Sequence, residues 1–128
     1  MATGNKGASR HPDKPDEHVT KGGVEIDVVQ LGDVKVKRAR YPSGWRYSKD
    51  MGEPRCYDTH VGYTVSGRIH VDLDDGTQLD FEPGSVFMVP AGHDAYVVGS
   101  EDCVIVQFDH GESAARRVNV PSVARKAA

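Results

Sequence analysis

From residue 24 to residue 109 apolar and polar side chains alternate in short runs, and a Gly- or Pro-bearing turn breaks almost every run. Such alternation places successive side chains on opposite faces of an extended chain, and no stretch carries a helical period of useful length. "VEIDVVQL" (24–31) and "VKVKRAR" (34–40) flank a Gly32-Asp33 turn. "HVGYTVS" and "RIHVDLD" flank Gly67, and Asp75-Gly76 leads into "QLDFE", so three antiparallel strands in succession are expected there. "VFMVP", "AYVVG" and "CVIVQF" complete the series, while "YPSGWRYS" reads as a turn followed by a short strand carrying Trp45 and Tyr47 on one face. Roughly eight to ten short strands of this kind predict an all-β sandwich or barrel.

The flanks lack this pattern. Residues 1–22 are rich in Gly, Pro, Lys and Asp without a hydrophobic period and are expected to form a disordered tail, with His11 and His18 solvated. Residues 23–110 form the patterned domain, and 111–128 read as a C-terminal tail with at most a short helix around Ser113 to Val118. With 128 residues, 38% of them apolar, the chain suits one domain with one core. A net charge of -3 and no block of Lys and Arg in the patterned region argue against nucleic acid as a partner. No apolar run approaches a membrane span and the first residues lack the apolar core of a signal peptide, so a cytoplasmic protein is expected. Two cysteines, Cys56 and Cys103, are too few for a disulfide scaffold.

Chemistry-bearing residues concentrate in "PRCYDTHVGYTVSGRIHV" (54–71), where Cys56, Asp58 and His60 stand two residues apart, and in "GSVFMVPAGHDAYVVG" (84–99). Gly84, Pro90 and Gly92 match the spacing of the second motif of the cupin superfamily, and His60 with Gly67 matches the end of the first. Sixteen residues separate Gly67 from Gly84, so the punctuation between motifs fits as well. The chain therefore resembles a small single-domain cupin over roughly residues 24–109. The resemblance implies a double-stranded β-helix, or jelly-roll barrel, a homodimeric assembly and a divalent metal held inside the barrel.

The slots of the family's metal ligands carry Pro54, Cys56, His60 and Ala95 here, and a loop one residue longer brings Glu53 into the set. His93 precedes the Ala95 slot by two residues and so shares its strand face. Cys56, His60 and His93 are the expected metal ligands, since thiolate and imidazole suit transition metals such as zinc, iron, nickel, manganese or copper. His60, His93, Asp58 and Tyr47 are the candidate catalytic groups, and Trp45, Tyr47, Phe87 and Tyr96 the candidate walls of a small-molecule pocket. His70, Asp72 and Asp74 lead into an exposed turn and read as a solvated strand face. Three functional readings stay open: a metal-dependent oxygenase, isomerase or decarboxylase; a ligand-binding or regulatory cupin that has lost its metal; and a metal-free enzyme using His60 and His93 as acid and base.

Overall fold

The computed structural model describes residues 7–110. Nine strands and one helical turn occur in it: β1 (Glu17–Lys21), β2 (Val24–Leu31), β3 (Val34–Tyr41), α1 (Tyr47–Asp50), β4 (His60–Ser66), β5 (Arg68–Leu73), β6 (Gln78–Phe81), β7 (Val86–Val89), β8 (His93–Val98) and β9 (Cys103–His110). All pairings are antiparallel and fall into two sheets, one ordered β1-β2-β3-β9-β4-β7 and the other β6-β5-β8. The all-β barrel expected from the alternation is the observed architecture.

The inner faces of the sheets are the apolar phases of the strands. Ala39 on β3, Ile69 and Val71 on β5, Phe87 and Val89 on β7 and Ile105 on β9 are buried in one cluster. Phe81 of β6 and Phe87 of β7 stack across the gap between the sheets, with centroids 4.4 Å apart and planes 12° from parallel. Burying each ring is worth about 2–3 kcal/mol, so this pair is a principal clamp between the sheets. Among the described residues no helix is long and apolar enough to cross a membrane.

Three sequence expectations need correction. β4 and β5 do not pair: β4 lies between β9 and β7, whereas β5 belongs to the other sheet. Gly67 carries the chain across with φ of 75°, and a side chain there would collide with the backbone of Asp102 and Cys103, so the turn changes sheets instead of closing a hairpin. The tail expected over residues 1–22 contains β1, which pairs with β2 from Glu17↔Val28 to Lys21↔Val24. Every residue of β1 is exposed, so backbone pairing and a 2.7 Å contact between His18 Nδ1 and Asp27 Oδ1, not an apolar face, hold it, and His18 is not simply solvated. Arg10 also bonds Asp16, whose carboxylate accepts from Gln30 N–H at 2.8 Å. Finally, Tyr47 opens the helical turn instead of extending a strand with Trp45. The expected C-terminal tail and short helix lie outside the described residues.

Candidate metal centre

Cys56 stands outside the named strands but is locked to the first residue of β8. Its N–H donates to His93 C=O at 2.8 Å, and its C=O accepts from Gly92 N–H at 2.8 Å and His93 N–H at 3.1 Å. His60 opens β4 opposite Val89 of β7. Its Nε2 lies 3.5 Å from Cys56 Sγ, and its ring meets that of His93 edge-on, with centroids 5.2 Å apart. One ligand atom from each of Cys56, His60 and His93 lies within 4.8 Å of the other two. His93 Nδ1 donates to Pro90 C=O at 2.8 Å. A carbonyl only accepts, so this bond places the proton on Nδ1 and leaves the Nε2 lone pair free, which is the orientation a metal-ligating histidine needs.

Electrostatics favour the neutral forms of His60 and Cys56. Burial, and then His93, push the His60 imidazole below its ordinary value against the opposing pull of Asp58 and Gln107. Burial likewise pushes the Cys56 thiol up. A bound cation reverses both preferences by replacing the thiol proton and using the neutral imidazole lone pair. Tetrahedral zinc separates its nitrogen and sulfur ligands by about 3.5 Å, so modest side-chain rotations bring these three atoms into range. The donor set and its hydrogen bonding therefore fit a transition metal with a coordination position left open.

The cluster lies in the wall of a cavity of about 300 Å³ inside the barrel. Val24, Ile26, Ile69, Phe81 and Phe87 give the cavity its apolar lining, and Asp58, Tyr47, Lys21 and Lys37 also border it.

No protein-family model and no curated protein matches the chain. Solved structures do. A Cupin 2 conserved barrel domain protein from Salinispora arenicola CNS-205 aligns with a TM-score of 0.62 at 11% identity, over 90% of this chain and 98% of that one. The KdgF protein from Halomonas sp. aligns at 0.56 and 17% identity, over 80% and 92%, and the Cnp3 cupin domain of Schizosaccharomyces pombe at 0.51 and 13%, over 75% and 71%. The chain has the cupin fold.

Within this cupin barrel the residues singled out in the sequence separate into two groups. Trp45, Tyr47, Phe87, Cys56, Asp58, His60 and His93 all border the cavity, Asp58 from an exposed position. Tyr96 does not: the β8 alternation that turns His93 and Ala95 inward sends Tyr96 outward. There its ring carries the Arg46 guanidinium at 4.4 Å and lies 5.1 Å from His70. Glu53 is exposed and accepts a 3.0 Å bond from Tyr47 Oη, outside the ligand cluster. Burial and then Glu53 push the Tyr47 phenol well above its ordinary range. Cys56 and Cys103 are both free thiols, and burial raises Cys103 to about 11, which makes it inert.

Two polar arrangements escaped the sequence reading. Buried Asp94 accepts from Arg46 Nη1 at 2.9 Å, Ser48 N–H at 2.9 Å and Ser48 Oγ at 2.8 Å, tying α1 to the residue after His93. Burial opposes the charge on Asp94, but these bonds hold the carboxyl below its ordinary value. Gln107 and Tyr41 meet inside the cavity wall. Strand phase gives the inward facing of the second pair, since Gln107 shares the phase of Cys103 and Ile105 and Tyr41 that of Ala39, but not their meeting.

Proposed function

We propose that this cupin holds a divalent transition metal on Cys56, His60 and His93 and acts as an enzyme on a small molecule taken into the barrel. The observation that carries the reading is the meeting of three donor atoms within 4.8 Å in the wall of an apolar cavity. When bound, the metal supplies Lewis-acid or redox chemistry suited to isomerisation, decarboxylation or oxygenation. The protein's own part is to fix His93 through Pro90, to deliver Cys56 as thiolate, and to exclude water with its apolar walls. Asp58 at the rim is the carboxylate placed to exchange a proton with a bound molecule, while Tyr47, bonded to Glu53, stays a proton donor.

Elemental analysis of protein purified without chelator tests this. About one equivalent of a transition metal is expected in the wild type and little in Cys56→Ser or His60→Ala. A metal-free wild type that still turns over substrate, with turnover abolished in His60→Ala, would instead establish His60 as a metal-free acid or base, a reading supported by the neutral imidazole that burial and His93 maintain.

Self-association has support on the outer face of β7, β4 and β9. Val86 is 80% and Met88 57% exposed, and Val86 lies opposite exposed Tyr63 in the β4–β7 register. A dimer mass in solution is the expected result.

A further inference from the structure

Tyr41 closes β3 with its ring edge-on to Trp45, centroids 4.8 Å apart, in the wall of the cavity. Its hydroxyl accepts a 3.1 Å hydrogen bond from Gln107 Nε2, on the inner face of β9. A phenol hydroxyl also has one proton to give. With Gln107 as the donor, that proton has no acceptor among the described residues. Burial raises the phenol far above its ordinary value, so the proton stays in place throughout the neutral range. The geometry at Gln107 therefore leaves Tyr41 with one donor unspent at the cavity wall.

An unused donor in an apolar enclosure is costly unless something accepts from it. We propose that Tyr41 anchors the ligand of this barrel through its hydroxyl proton, and that the ligand is a small, largely apolar molecule bearing a carbonyl or carboxylate oxygen. A cavity of about 300 Å³ equals roughly ten water volumes, which sets the size at on the order of ten to fifteen non-hydrogen atoms. Lys21, opposite Val24 in the β1–β2 register, also borders the cavity and makes no ion pair among the described residues, so it favours the carboxylate of the two oxygen types. The inference rests on the reading of the cavity as a ligand pocket and does not require the metal.

Trp45 is the only tryptophan and touches Tyr41, so its fluorescence reports binding directly. The full chain, stripped of metal, is titrated with phenylpropanoate, benzylacetone and butylbenzene, which share an apolar body and differ in the oxygen group. Tyr41→Phe is expected to weaken phenylpropanoate and benzylacetone about tenfold or more and to leave butylbenzene within about twofold. Tighter phenylpropanoate than benzylacetone, with that margin lost in Lys21→Met, assigns the anionic form. A ring-labelled tyrosine sample of the wild type gives an independent reading: the Tyr41 Cζ resonance moves with benzylacetone and not with butylbenzene.

Equal losses for all three compounds in Tyr41→Phe, an unchanged affinity for the oxygen-bearing pair, or no saturable binding of any probe each overturn the proposal. The second of these is the signature of a reversed amide, in which the phenol donates to Gln107 and has nothing left for a ligand. Since the titrations use metal-free protein, a negative result here and a negative metal analysis are separate outcomes.

Discussion

Inside the barrel His60 and His93 face a thiol, a backbone carbonyl and apolar walls, whereas on the outside His70 lies between two carboxylates, with Nδ1 2.8 Å from Asp80 and Nε2 3.1 Å from Asp72. The same side chain on the same kind of strand is thus given opposite charge preferences. The bond to Asp80 lifts the His70 proton affinity, burial opposes it and a weaker bond to Asp72 adds to it, while burial and a second imidazole depress that of His60. Histidines dressed in carboxylates serve as surface cations, and those stripped of them keep a lone pair available. The contrast separates the candidate site from a superficially similar row of His and Asp on β5.

Substitution at two adjacent residues of β7 tests the inside–outside contrast most sharply. Phe87 points into the core and Met88 out. Phe87→Ala should cost about 3–5 kcal/mol in urea unfolding, because it removes the stacked clamp on Phe81 and leaves a void. Next in size is the pH response of the two histidine clusters, read by NMR titration on metal-free protein. His70 should titrate above 6.5 and His60 below it. For His70 the sign follows from tighter proton binding in the folded chain: its contribution is complete below the unfolded value and fades as pH rises through the folded midpoint. Asp80 is largely exposed, so the loss in His70→Ala should be at most about 1 kcal/mol at pH below the unfolded value and vanish once pH has risen past the folded midpoint. His60 works in reverse: acid below its unfolded value costs stability until the folded midpoint is passed, and His60→Gln should flatten that part of the curve. Met88→Ser, the smallest effect, should stay within about 0.5 kcal/mol.

Much of this was legible in the chain because it depends on local period. Strand alternation gave the strands and the all-β class, and the spacing around His60, Gly67, Gly84 and Pro90 pointed to the strand that carries the candidate site. Cys56, His60 and His93 were readable as candidates because each falls in or beside a motif slot. What escaped depends on contacts between distant segments. Gln107 meets Tyr41 across 66 positions, and Asp94 meets Arg46 across 48; no local pattern encodes either. β1 was hidden because it buries nothing and is held by backbone pairing and polar side-chain contacts such as His18 with Asp27. Tyr96 was misplaced because it was judged by residue type, when its phase relative to His93 already pointed it outward. The switch of sheets at Gly67 was missed because a glycine that permits a tight hairpin also permits a crossing.

The strand order also has a consequence in time. β9, the latest described strand in the chain, occupies the interior of the six-stranded sheet between β3 and β4. As the chain emerges from the ribosome, β3 and β4 each wait with an open edge until residues 103–110 arrive. During that interval Val36, Tyr63 and their neighbours present unpaired backbone to any passing strand. The arrival of β9 seals the wall that carries Gln107, so a truncation just short of β9 removes the keystone of the sheet and leaves two sticky halves, not a slightly smaller barrel.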